Sequence, residues 1–349
     1  MLEIIDISKD MGEFLLDAVS LQVEKGDYLV IIGPTGAGKT ILLETVAGVY
    51  PPDHGRIRLN GEDITYREPK DRNICMVYQD YMLFPHLTVE ENVGFGLKVH
   101  RVNAEEKKRR VREIVDIVGI THLLHRYPDT LSGGEKQRAA LSRAIVLNPE
   151  VLLLDEPLSA LDGQTREMMR GELKRLHTLF QTTIIHITHN FQEVFSLADK
   201  VAVMNNGKIV QYGIPDAILR RPNCEFVAQF VGGENLFKGT CKINGDMTEI
   251  DVGGEIIVSS SCASSQEVYV SIRPEDIIIS KNPVQTSARN IFSGIVTDVI
   301  DNGTLVTVFI DTGIHFRVVL TRQGWQEMDI SRGEELYLLC KASSVHLFS

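Results

Sequence analysis

The feature that most constrains this chain is a continuous apolar run, Tyr28-Leu29-Val30-Ile31-Ile32. It empties into Gly33-Pro34-Thr35-Gly36-Ala37-Gly38-Lys39-Thr40 and then into a helical pattern reaching about Ala47. A strand apolar on both faces belongs inside a helix-covered sheet. The loop fits the GxxxxGK[ST] phosphate cradle in the strand-to-helix context that gives the pattern its meaning. Its glycines let backbone N–H groups point inward at phosphate, and the helix start favours the anion. Lys39 is placed to reach terminal phosphates, and the Thr40 hydroxyl to ligate Mg²⁺. Further apolar runs at 151–154, 183–187 and 201–204 each join a helical pattern, so the first part of the chain reads as α/β with a parallel sheet.

At 349 residues the chain exceeds one ordinary core, and two domains are expected. The net charge of −11 argues against a nucleic-acid surface, which carries a basic excess. No apolar run approaches the roughly 20 residues of a spanning helix, and the N-terminus lacks a signal-peptide pattern. Any membrane role is therefore expected to come through a partner. The five cysteines, Cys75, Cys224, Cys241, Cys262 and Cys340, are scattered without a CxxC pair, which favours a reduced chain without structural zinc. Residues 104–119 set Glu-Glu-Lys-Lys-Arg-Arg beside a valine–isoleucine stripe, an amphipathic helix whose charge run reads as a solvated face. Near Gly232-Gly233-Glu234 helical periodicity gives way to short strand-like runs at 256–258, 268–272, 294–299, 305–310, 315–320 and 336–339. The expectation is a domain of residues 1–232, with a helical subdomain at about 84–147, followed by a small all-β barrel over 233–349.

Two further stretches carry chemistry. Val151-Leu152-Leu153-Leu154-Asp155-Glu156 is a buried strand ending in two carboxylates: Asp155 to hold Mg²⁺ through water, Glu156 to act as general base on the attacking water. Upstream, Leu131-Ser132-Gly133-Gly134-Glu135-Lys136-Gln137-Arg138 reads as a glycine-hinged helix start presenting a serine hydroxyl and backbone N–H groups.

Over residues 1 to about 230 these elements resemble the ATPases of ABC importers. The stretch from Met76 through Gln79 to Val89 is similar to the family's Q-loop, Ser159-Ala160-Leu161-Asp162 to its D-loop, and Ile187-Thr188-His189-Asn190 to its H-loop. The resemblance implies ATP and Mg²⁺ as ligands, with Gln79 contacting Mg²⁺ and water, His189 contacting the γ-phosphate, and the apolar stretch after Gln79 receiving a permease helix. It also implies a head-to-tail homodimer in which Ser132, Gly133, Gly134, Glu135 and Asp162 complete the partner's ATP site. The family stacks adenine on an aromatic residue near the end of the first strand. Here Met11 stands near that position, and Phe14 is the nearest aromatic.

The tail adds a second resemblance. Thr286-Ser287-Ala288-Arg289-Asn290-Ile291-Phe292-Ser293-Gly294 is similar to the opening of a Mop-type (TOBE) molybdate-binding module, and Lys341-Ala342-Ser343 to its closing strand. An OB-like, Mop-type barrel over about 286–349 is implied. A tetrahedral dianion needs hydroxyl, N–H and cationic donors without carboxylates, and Ser287, Ala288, Arg289, Asn290, Lys341, Ala342 and Ser343 are the candidate set. Together the resemblances imply an ATPase coupled to transport: the subunit powering molybdate or tungstate import. It would work on the cytoplasmic face through a separate dimeric permease fed by an external oxyanion-binding protein, with no nucleic-acid partner. The tail would then sense the oxyanion and restrain transport. The alternatives are an importer ATPase for sulfate, a sugar, spermidine or iron with a structural tail, and an ABC ATPase with no permease.

Overall fold

The computed structural model describes residues 1–232, 235–244, 247–261 and 265–348. The chain forms two compact units, Met1–Pro215 and Asp216–Ser349.

The first unit opens with an antiparallel pair, β1 (Leu2–Asp10) and β2 (Leu15–Val23), before β3 (Tyr28–Ile32) runs through the glycine loop into α1 (Lys39–Ala47). Strands β4 (His54–Leu59) and β5 (Glu62–Asp63) return to that pair and complete a sheet of order β2-β1-β4-β5. After β6 (Ile74–Val77) comes a helical segment: α2 (Val89–Val99), α3 (Ala104–Val118) and α4 (Gly133–Ile145). Then β7 (Val151–Asp155), α5 (Gly163–Phe180), β8 (Thr183–Ile187), α6 (Phe191–Leu197) and β9 (Lys200–Asn205) alternate, and β10 (Lys208–Gly213) turns back on β9. The order β10-β9-β3-β8-β7-β6 is parallel from β9 to β6. Strands β3, β7 and β8 are buried at every residue, as the unbroken apolar runs require of a sheet covered on both faces. Register then places the chemistry. Ile31 and Asp155 both lie level with Ile187, and Val77 lies level with Leu154. The glycine loop, the turn holding Gln79, the two carboxylates and the His189 turn thus leave from one carboxyl edge of the sheet, where open α/β sheets bind ligands.

In α3 the charge run is a solvated face: Arg109 pairs with Glu106 and Glu113, Arg110 pairs with Glu106, and Val111, Ile114, Val115 and Val118 are buried. Asn103 caps its start, and Gly119 ends it at φ 73°, a left-handed turn that glycine adopts without a Cβ penalty.

The second unit carries α7 (Pro215–Arg220, its first residue the last of the preceding unit) and α8 (Glu225–Phe230) ahead of the strands. Then follow β11 (Asn235–Asn244), β12 (Met247–Val252), β13 (Glu255–Ser259), β14 (Glu267–Ile272), β15 (Ile278–Ser280), β16 (Asn290–Asp301), β17 (Leu305–Asp311) and β18 (His315–Thr321). After α9 (Arg322–Met328), β19 (Glu335–Cys340) and β20 (Val345–Phe348) close the unit. Two antiparallel sheets, β13-β12-β11-β14-β20 and β15-β19-β16-β17-β18, share one core that includes Ile250, Val270, Phe292, Val308, Phe316 and Leu336. Helix α9 departs from the all-β expectation. It is two turns long, capped by the Thr321 hydroxyl and packed through Trp325, whose indole N–H donates to the Ile330 carbonyl. Helix α8 ends at Phe230 and β11 begins at Asn235; Gly233 and Glu234 between them lie outside the described residues. The compact unit begins earlier because the Arg273 guanidinium donates to the Leu219 carbonyl, His346 Nε2 to the Pro222 carbonyl and the Tyr269 hydroxyl to Glu225. Cys75, Cys224, Cys241 and Cys340 are free thiols, and Cys262 lies outside the described residues.

Candidate active site

Sterics set the cradle. A Cβ on Gly33 would stand 2.2 Å from the Met204 carbonyl oxygen, so the loop can leave β3 only with glycine there. Gly38 caps α1 at φ 98°, with the Phe14 ring against its Cα. No side chain caps α1 and no acid stands in its first turn, which leaves its N-terminal N–H groups open to an anion. The Lys39 amine donates to the Gly33 and Pro34 carbonyls at 2.9 and 2.8 Å and so is held across the loop where phosphates would be received. Burial pushes its pKa down, and Glu156 and Asp155 partly oppose this.

Thr40 and Asp155 meet. The hydroxyl donates to the carboxylate at 3.0–3.2 Å, and these hard oxygen donors fit Mg²⁺. Burial raises the Asp155 pKa; the Thr40 bond lowers it, and the neighbouring Glu156 adds to the rise. Glu156 stands at φ 44°, a left-handed conformation rare outside glycine. Its N–H donates to the Ile187 carbonyl at 3.0 Å, and its own carbonyl accepts from the Ser159 N–H and hydroxyl. Its carboxylate oxygen is 3.5 Å from His189 Nδ1, and the histidine is exposed. Gln79 is exposed in the turn after β6. Beyond it, Tyr81 and Met82 stand at φ 59° and 42°. The Arg143 guanidinium on α4 donates to both their carbonyls and lies over the Phe84 ring.

Ser132 caps α4 in a reciprocal box with Glu135, whose carboxyl is held low chiefly by the Ser132 backbone N–H. Gly133 and Gly134 lie against Leu161 and Thr165, and Asp162 caps α5 through the Gln164 and Thr165 N–H groups. The glycine-hinged start of α4 and the turn before α5 are thus packed on each other within one chain. Among the described residues Ser132 and Glu135 bond to one another and not to Lys39, Asp155 or Glu156. Met11 is exposed at the β1–β2 turn, while Phe14 is partly buried against the core and Gly38.

The tail segments also meet. Asn290 pairs with Cys340 across β16 and β19, which sets Arg289 beside Lys341 at the strand ends. Ser287, Arg289, Lys341 and Ser343 are exposed. Two of the expected donors stand differently. Asn290 is buried, its amide bonded to the Val258 N–H and carbonyl, and the carbonyl of buried Ala342 accepts from Ser260. Asn290 and Ala342 thus bond within the fold, while Ser287, Arg289, Lys341 and Ser343 stay exposed.

Four buried polar side chains carry no mark in the sequence. Arg72 donates to the Thr45 and Val46 carbonyls at the end of α1 and to those of Thr65 and Arg67. Tyr28 and His186 bond within the sheet, and Glu193 adjoins His186. Nothing in the local pattern marks them, because each looks like one more residue of a strand, turn or helix.

A phosphate cradle and a carboxylate pair on the carboxyl edge of a parallel sheet define a P-loop nucleoside triphosphatase. The sequence matches the ABC transporter family over residues 16–159 and the TOBE domain over residues 286–347. The molybdate/tungstate import ATP-binding protein WtpC of Pyrococcus horikoshii is 45% identical over 349 residues, the whole of both chains. The Fe(3+) ions import ATP-binding protein FbpC of Photorhabdus laumondii is 40% identical over 281 residues, 80% of each chain. A dimeric ATP-binding cassette solved in a post-hydrolysis state with ADP and Pi is 27% identical, with a TM-score of 0.55, over 62% of this chain and 99% of that one. The chain belongs to the ABC transporter family and is an ABC-type ATPase with a C-terminal TOBE domain.

Proposed function

We propose that this chain is the ATP-hydrolysing subunit of a molybdate or tungstate importer, restrained by the oxyanion through its tail. The observation that carries the substrate class is the tail itself. Arg289 and Lys341 stand side by side with exposed serines, and a full-length relationship at 45% identity joins the chain to molybdate/tungstate import proteins. Two like charges at adjacent strand ends repel one another, and a dianion removes that cost.

At the ATP site, Lys39 and the loop N–H groups bind the β- and γ-phosphates, and Glu156 takes the proton of the attacking water. His189 holds the γ-phosphate and Glu156 together. Gln79, Thr40 and Asp155 would hold Mg²⁺, which would neutralise charge on the phosphates. Ser132, Gly133, Gly134, Glu135 and Asp162 of a second copy complete the site, so that closure of the homodimer and hydrolysis are one event. Met11, the more exposed of the two candidates, receives adenine. No helix among the described residues is long and apolar enough to cross a membrane. A groove of about 370 Å³ lined by Met76, Met82, Phe84, Phe95, Ala144 and Leu147 suits an apolar helix end of a permease. The chain would then sit on the cytoplasmic face of a membrane, coupled to a dimeric permease and its external oxyanion-binding protein.

Titration calorimetry of the full chain with molybdate, tungstate, sulfate and phosphate tests the substrate class. The expected result is saturable binding of molybdate and tungstate, lost in Arg289→Ala and Lys341→Ala. Binding of none of the four, or no effect of either substitution, would leave a structural tail and an importer of another solute.

A further inference from the structure

Beneath the sheet edge that bears Glu156 and His189 lies a buried polar chain. Tyr28 and His186 are fully buried, and Glu193 on α6 is 3% exposed. The Tyr28 hydroxyl is 2.8 Å from His186 Nδ1, and His186 Nε2 is 3.3 Å from a Glu193 carboxylate oxygen, off the line of a good hydrogen bond. Burial pushes the Glu193 carboxyl up, but His186, the Thr188 hydroxyl and Arg166 together bring it below the ordinary range. A carboxyl group buried this deeply is costly unless its surroundings compensate it. Ile185 and Ile187 on the same strand show that an apolar core would serve packing alone.

The groups around this carboxyl adjoin the reacting ones. His186 and Thr188 flank Ile187, whose carbonyl accepts the Glu156 N–H. The Thr188 hydroxyl also accepts from the Asn190 N–H, so the residues on both sides of His189 are tied down. Arg166 donates to the Leu158 and Leu161 carbonyls at 3.2 and 2.7 Å and so holds the D-loop, in which Ser159 grips the Glu156 carbonyl. A non-glycine residue at φ 44° is strained and persists only where its surroundings over-determine it. We propose that Glu193 is a positioning residue for hydrolysis: packed on His186, in the strand whose Ile187 carbonyl holds the Glu156 N–H, it keeps Glu156 and His189 turned toward the γ-phosphate. The proposal rests on the reading of Glu156 as general base.

The test compares ATP turnover and nucleotide binding of the full chain in wild type, Glu193→Gln, Thr188→Val, Glu156→Gln and Glu156→Gln with Glu193→Gln. Misplacement of a reacting group by about 1 Å costs up to roughly 10²-fold. Glu193→Gln is therefore expected to lower kcat about 10- to 100-fold with KM for ATP changed less than about 2-fold, and Thr188→Val to act in the same direction more weakly. In the Glu156→Gln background Glu193→Gln should cost much less than in wild type, since most of its effect runs through Glu156. Unchanged kcat in both single variants would overturn the proposal, as would an equal fold-loss on top of Glu156→Gln or a parallel loss of ATP affinity. Should Glu193→Gln not fold, Thr188→Val carries the same expectations. Wild-type turnover in Glu156→Gln alone would instead remove the assignment of the base.

Discussion

Asp155 and Lys39 carry opposite consequences of the same burial, the amine pushed down and the carboxyl pushed up. An acid with a raised folded pKa binds its proton more tightly when folded. Stability from it is greatest below the unfolded value near 3.8 and falls as pH rises through the window above. At neutral pH the ionised Asp155 therefore weighs against the nucleotide-free fold. Asp155→Asn keeps an oxygen to accept from Thr40 and removes the charge. We expect it to raise the melting temperature of nucleotide-free protein near neutral pH by about 2–4 °C, for on the order of 1 kcal/mol. The gain should shrink as pH falls toward the unfolded value, and Mg²⁺-dependent turnover should be lost. Melting curves across that pH range check it, and a gain independent of pH would point away from the charge. At this scale the sequence was legible where a motif binds its own neighbours, as in the loop that ends in Lys39 and Thr40. It was silent on Tyr28, His186 and Glu193, because the first two are 158 residues apart and meet only when β3 and β8 pair.

Helix α4 shows an element with two duties at one end. Ser132 stabilises its own helix through the box with Glu135, while its hydroxyl is also the proposed contact to a partner's nucleotide. The two roles separate by substitution. Ser132→Ala removes the cap and should destabilise the chain by about 0.5–2 kcal/mol. Ser132→Asp preserves a capping oxygen and should leave the melting temperature near wild type, yet place a negative charge against the partner's phosphates and abolish turnover. Thermal melts beside ATPase assays decide it, and an active Ser132→Asp would remove the partner contact. The serine–glutamate spacing was visible in the sequence, as was Gly119 at the end of α3. Helix α9 was not, because Arg322-Gln323-Gly324 shows no periodic apolar stripe and the helix is held by the Thr321 cap and the packing of Trp325.

For the whole molecule, the proposed site is shared between two chains. Lys39→Ala and Ser132→Asp chains, each expected to be inactive, should regain turnover when mixed, since a mixed dimer pairs an intact cradle with an intact signature. Turnover of the mixture no greater than the sum of the separate chains would argue against a composite site. The parallel sheet and the strand–loop–helix over residues 28–47 are legible in the chain alone, because each rests on periodicity or on residues adjacent in sequence. Tertiary structure alone decided the rest. Pairing of β16 with β19 sets Arg289 beside Lys341 and buries Asn290, and the register of β7 against β8 brings the Ile187 carbonyl to the Glu156 N–H. Contacts between residues far apart in sequence depend on strand register and on which face is buried, and no local pattern specifies which distant partner a side chain will meet.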